Sequence, residues 1–202
     1  MRSDGGQVNR GRPGARSRRG FMKWYILYTR HHHERAVHER LLTKGFQAYL
    51  PLTMVWRKSN RRPRKVTTPL FPRHVFVRCY LELYTHLALI SISGVMRILE
   101  DAQGQLRVVP EDEMRLLRKL CGSELFLEPT GYQPQGQRVE VVQGHLRGIS
   151  GVIRQEAKTT LLVPIHTLQT SVAVEIDRDH LLLCADGEES RLSPCPQGWP
   201  AT

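Results

Sequence analysis

His31, His32, His33, Glu34 and His38 crowd one short segment with side chains that could ligate a metal. A zinc site of the HExxH kind needs its two histidines four residues apart on one helix face. His33 and His38 are five apart and do not share a face well, so a polar helix start is the better reading. Glu111, Asp112 and Glu113 are three consecutive acids, but they follow Pro110. Proline in a first turn, and negative charge near the positive end of a helix dipole, explain them without catalysis. Cys79, Cys121, Cys184 and Cys195 are scattered with no CxxC pair, which argues against both a zinc site and a disulfide framework. No Ser/His/Asp or Cys/His constellation, phosphate-binding glycine loop or supported carboxylate pair is visible. The chain is expected to be no enzyme and to use no cofactor or metal.

The chemistry that remains is recognition. The net charge of +11 is unevenly spread. Residues 1–23 hold seven Lys/Arg against one Asp, and 57–65 hold Arg57, Lys58, Arg61, Arg62, Arg64 and Lys65. The rest of the chain nets −1. Basic segments of this kind attract polyanions, and Arg and Lys bind phosphates without choosing sequence. Trp56, beside Arg57, could stack on an unpaired base or pack at the base of the loop. The other reading of the charge run is a solvated face that only aids solubility.

The elements that must position these groups can be read from pattern. Residues 1–21 are rich in Gly, Arg and Ser and are expected to be a disordered basic tail. Met22 is an alternative start of translation. Trp24–Tyr28 reads as a buried strand. Arg30 to Lys44 has helical periodicity through Ala36, Val37, Leu41 and Leu42, with Glu34 on the wet side and Gly45 past the end. Phe46–Leu52 reads as a second strand, and Val55 to Thr68 as a long loop or hairpin tip. Leu70–Tyr80 reads as a third strand, entered through Pro69 and Pro72. Leu81–Ser91 is a helix candidate. Val95–Leu99 and Leu106–Val109 read as a short pair around a turn. Pro110 opens a helix with Met114, Leu117, Leu120 and Cys121 on its apolar face, closed by Gly122.

Residues 124–136, with two prolines and two glycines, read as a linker. From 137 to 184 the pattern is all β, with strands expected at Arg138–Val142, Gly151–Gln155, Leu161–Ile165 and Val172–Ile176. Residues 185–202 read as a flexible tail. The longest apolar runs, such as Leu87–Ile90, fall far short of the ~20 residues a membrane span needs. No secretory signal is visible, so a cytoplasmic, monomeric protein with no membrane contact is expected.

Two sets of motifs carry a resemblance. In GQRVEVVQGHLRGISGVIRQ (136–155), Val139 and Val141 alternate with polar residues, Gly144 and Gly148 bracket a turn needing left-handed φ, and Gly151 marks a tight bend or bulge. This segment resembles the KOW motif of a small SH3-like barrel. Upstream, WYILYTR (24–30), GFQAYLPL (45–52), PLFPRHVFVR (69–78), SGVMRIL (93–99) and VVPEDEMRLLRKL (108–120) resemble, in order and wording, the NusG N-terminal domain. The resemblance covers about residues 22–183. It implies an α+β N-terminal domain over 22–123, an antiparallel sheet with flanking helices, plus an all-β SH3-like KOW barrel over 137–184. The long VWRKSNRRPRK loop resembles the specialised antiterminator paralogues, RfaH and UpxY-like, more than housekeeping NusG.

The resemblance also implies a function. It implies a transcription elongation or antitermination factor that docks on the clamp helices of the largest RNA polymerase subunit. The matching aromatic positions are Tyr28, Phe71, His74 and Phe76, with Thr85 and His86 near the opposite side of the polymerase cleft. Core packing is the alternative for Tyr28, Phe71 and Phe76. The family's usual Gly-Tyr or Asn-Tyr is Arg73-His74 here. The basic loop is expected to meet upstream DNA or the non-template strand, placing the protein at the nucleoid during transcription. The KOW domain is expected to recruit termination factor Rho or a small-subunit ribosomal protein. Alternating β-branched residues from Val139 to Val174 favour a constitutive barrel over a helical form. The rival reading is a ribosome- or RNA-binding KOW protein with no polymerase contact.

Overall fold

The computed structural model describes residues 21–57, 62–132, 136–155 and 159–184. The expected tails therefore lie almost wholly outside the described residues, as do Lys58 and Arg61.

The first strand, β1 (Lys23–Thr29), is the centre of a five-stranded antiparallel sheet. Its neighbours are β5 (His74–Cys79) on one side and β6 (Val95–Ile98) with β7 (Val108–Val109) on the other. β2 (Gln47–Tyr49) extends the sheet beyond β5. Side chains alternate across a strand, so the β1–β5 register sorts them into two faces. Trp24, Ile26 and Tyr28 stand opposite Arg78, Phe76 and His74 on one face. Tyr25 and Leu27 stand opposite Val77 and Val75 on the other. That second face packs on α1 (Glu34–Thr43) through Val37 and Leu41, and on α2 (Leu83–Ile90) through Leu89.

The first face is covered by α3 (Glu111–Cys121), through Met114, Leu117 and Leu120. The same buried cluster runs on into a six-stranded antiparallel sheet, ordered β13-β9-β10-β11-β12-β8. Its strands are β8 (Leu127–Gly131), β9 (Gln137–Val141), β10 (Ser150–Gln155), β11 (Thr159–Ile165), β12 (Thr170–Glu175) and β13 (Leu181–Leu183). Val139, Val141, Leu161, Val163, Ile165, Val172 and Val174 supply its share of the core. The C-terminal part is thus all β, and α3 stands between the two sheets.

Several expectations change in detail. The helix expected from Arg30 begins at Glu34, and Glu34 is buried rather than wet, because its carboxylate accepts the Arg73 backbone N–H. Of the two readings of Val55–Thr68 the hairpin holds: β3 (Leu52–Arg57) and β4 (Arg64–Pro69) form a two-stranded hairpin whose strands take up much of the segment. Leu70–Arg73 turns before β5, so Phe71 is not in the strand. β6 and β7 each pair with β1 rather than with each other, and the chain between them closes through the isolated bridge Glu100–Leu106 and the Arg107 N–H donating to the Leu99 carbonyl. The segment read as linker contains β8, whose Pro129 is tolerated because β8 is an edge strand paired with β12. Gly151 is neither bend nor bulge. It lies in a regular ladder with β9, where a Cβ would stand 2.6 Å from the Leu162 carbonyl oxygen of β11.

Candidate functional site

Tyr28 and His74 are cross-strand partners at one end of the first sheet face, their rings edge to face at 5.5 Å. Arg73 precedes His74 with φ +68, a left-handed conformation. That turn lets the Arg73 chain reach back across β1. Its Nε donates to the Thr29 carbonyl at 3.1 Å, and its guanidinium lies 4.4 Å from the Tyr28 ring centre. Arg97, from β6, adds a second guanidinium 5.3 Å from the same ring. His74 Nδ1–H donates to the Pro72 carbonyl at 2.7 Å. Burial holds the imidazole pKa below its ordinary value, and the neighbouring Arg73 charge acts in the same direction. The result is a half-buried aromatic pair rimmed by two guanidinium groups, an arrangement suited to a protein or nucleic-acid partner.

The other two aromatic positions lie deeper. Phe76 is fully buried and Phe71 nearly so, both in the cluster shared with α3 and the C-terminal sheet. Thr85 and His86 are half-buried on α2. Pattern reading missed the residues around them. Leu83, Tyr84, Leu87 and Ile90 are exposed, and with Leu81, His86 and Leu106 most of these line a shallow cleft. The signal was present, since LYTHLALI is too apolar all round for a helix with only Leu89 fully buried.

The hairpin presents the second surface. Arg57 stands directly opposite Arg64, and Trp56 opposite Lys65. Like charges facing across a ladder repel, and an anion relieves that repulsion. Arg57, Arg62, Arg64 and Lys65 are all exposed. None of them joins an ion pair among the described residues. Trp56 does not pack at the hairpin base. It is 57% exposed and stacks on Phe126, whose role sequence reasoning missed.

The acids of α3 hold structure together. Glu111 accepts from Trp24 Nε1 at 3.0 Å and lies 3.7 and 3.8 Å from Arg118 and Arg78. Asp112 pairs with Arg115. Glu113 is buried against the C-terminal sheet, where it accepts the Thr167 backbone N–H at 3.1 Å. Burial raises its pKa, partly offset by that hydrogen bond. Among the described residues no cluster of His, Cys, Asp and Glu could hold a metal. His32 sits at φ +61 in a turn, with its ring against His31.

In the C-terminal sheet Gly144 and Gly148 take φ +78 and +81, and Gly148 N–H closes the turn onto the Val141 carbonyl at 2.6 Å. This is the left-handed turn the glycine spacing predicts.

Residues 22–118 match the family model described as transcription termination factor nusG. The fold is similar to a solved structure described as "Domain interaction in Thermotoga maritima NusG", with 23% identity, a TM-score of 0.50, and coverage of 79% of this chain and 96% of that one. Two further similar structures are of the MjSpt4:Spt5 complex, in conformations A and B, at 13% identity. Their TM-scores are 0.27 and 0.26, with 80% and 82% of this chain covered and 98% and 99% of theirs. The curated proteins contain no match.

Proposed function

We propose that the chain is a NusG-type transcription elongation factor that works by binding, without catalysis. The observation that carries this reading is the match over 22–118, in which β1 and β5 place Tyr28 and His74 together at the surface of the first sheet. RNA polymerase is the partner of that surface. Tyr28, His74 and the Arg73 and Arg97 rim meet the clamp helices of the largest subunit. Phe71 and Phe76 are the buried floor beneath them, and Thr85 and His86 on α2 face the opposite side of the cleft. The hairpin cations contact phosphates of upstream or non-template DNA. The C-terminal sheet is a KOW-type SH3-like barrel that recruits a second factor, Rho or a small-subunit ribosomal protein. The long basic hairpin supports a place among the specialised antiterminators, acting in the cytoplasm at the nucleoid.

The mechanism is a shift of populations. A factor bound across the polymerase cleft favours the closed-clamp state only to the extent that it binds that state more tightly than the paused one. Single-round transcription in vitro over a template with one strong pause tests this. Shorter dwell at the pause on adding the purified chain is the expected result. An unchanged dwell time, at concentrations where the chain is bound to polymerase, contradicts the antipausing role.

A further inference from the structure

Trp56 and Phe126 are far apart in sequence, one on the hairpin and one just before β8. Their ring centres are 6.3 Å apart and the planes differ by only 25°. Lys65 Nζ is 5.4 Å from the Trp56 centre and 5.5 Å from that of Phe126. The three centres make a triangle of nearly equal sides. The ammonium is therefore about equally far from the two rings. Both rings remain open to solvent, at 57% and 43% exposure.

Their relative position is fixed from below. Thr53 Oγ1 donates to the Leu127 carbonyl at 2.9 Å and accepts the Leu127 N–H at 3.2 Å. Thr53 and Leu127 are both buried, so this two-bond clasp is shielded from water. It locks the strand that carries Trp56 to the neighbour of Phe126. A cleft of about 520 Å³ between hairpin and C-terminal sheet is lined by both rings.

We infer that Trp56 and Phe126, with Lys65 beside them, form a composite platform that stacks the unpaired bases of single-stranded DNA. Every base offers a π face, so stacking needs no particular sequence. Bases in a duplex are already stacked and must first be pulled out, which favours a single strand. Lys65, with exposed Arg57 and Arg64, supplies the complementary charge for the phosphates. Phe126 reaches the platform only because the C-terminal sheet is docked on the hairpin. A bound strand therefore favours the docked arrangement, by the same linkage that governs any ligand binding one of two states. The inference rests on the nucleic-acid part of the proposed function, from which the non-template DNA strand follows as occupant, and does not depend on polymerase contact.

Fluorescence anisotropy with the purified full chain tests it, using labelled dT12, rU12 and a 12-base-pair duplex. The wild type binds dT12 more tightly than the duplex. Phe126→Leu keeps apolar bulk but loses the π face, and weakens dT12 about tenfold. It leaves duplex binding and the salt dependence unchanged. Phe126→Trp restores dT12 binding, which separates stacking from packing. Thr53→Val, which touches no DNA, weakens dT12 by loosening the clasp. Lys65→Gln reduces the salt slope by about one ion released. Equal binding of single strand and duplex, with Phe126→Leu unchanged, overturns the platform while leaving phosphate binding by the hairpin intact. Tighter binding of rU12 than dT12 overturns the assignment to DNA. No binding of any probe overturns both the platform and the nucleic-acid part of the proposed function.

Discussion

Arg73 holds a left-handed backbone conformation that costs an ordinary residue about 1–2 kcal/mol. Its contacts repay that strain: the backbone N–H to Glu34, Nε to the Thr29 carbonyl, and the guanidinium on the Tyr28 ring. Arg73→Ala keeps the strained φ and loses the side-chain contacts, whereas Arg73→Gly loses the contacts and relieves the strain. In urea unfolding the glycine variant is expected to be more stable than the alanine variant by about 1 kcal/mol. Equal stabilities would mean that the turn relaxes around alanine. The family wording at this position, Gly or Asn, fits the same φ, so this part of the site was legible as a departure from pattern. The reason Gly151 is glycine was not legible. The crowding comes from the Leu162 carbonyl on the neighbouring strand, and no local pattern reveals a cross-strand distance.

At the scale of elements, α3 joins the two sheets through one buried face. Its first turn tucks Glu113 beneath the 3-10 turn His166–Leu168, and Arg107 donates to the Thr167 carbonyl at 2.8 Å from the other side. The Glu113 pKa is raised in the fold, so the folded state holds its proton more firmly than the unfolded chain. That stabilisation is complete below the unfolded pKa, near 4.5, and is lost as pH rises through the folded value. Glu113→Gln still accepts the Thr167 N–H but cannot ionise. Denaturation midpoints followed from pH 4 to 8 are expected to show the wild type losing stability relative to this variant as pH rises. A variant less stable than wild type by more than about 1 kcal/mol at pH 7 would mean that the charge itself holds the contact. The apolar face of α3 and its acidic start could be read from sequence, and both hold. What lies against each could not, because Thr167 comes more than fifty residues later in the chain.

Across the whole molecule, the two sheets share one buried cluster rather than two cores joined by a tether. Thr53 to Leu127, Glu113 and Arg107 to Thr167, and Lys119 to the Arg147 carbonyl add polar contacts across the same boundary. Leu117 is fully buried in that cluster. Leu117→Ala is expected to cost about 2–5 kcal/mol and to lower the melting of both sheets together. Amide NMR signals of the C-terminal sheet that persist after the first sheet melts would contradict a common core. Pattern reading found both parts and most of their strands. It took 124–136 for a linker because proline and glycine there mimic one. It also missed the Trp56–Phe126 contact, which only the docking of the second sheet creates.

The central claim is that the surface around Tyr28 binds RNA polymerase. Its most direct test is a pull-down of purified core RNA polymerase with the wild-type chain and with Tyr28→Ala combined with Arg97→Ala. Both side chains reach solvent, so this variant spares the core that Phe76→Ala would open. The expected result is polymerase retained by the wild type and lost by a variant that melts normally. Polymerase retained equally by both would contradict this surface as the contact. No retention by the wild type would contradict polymerase binding altogether, and ribosomes would then be the next bait.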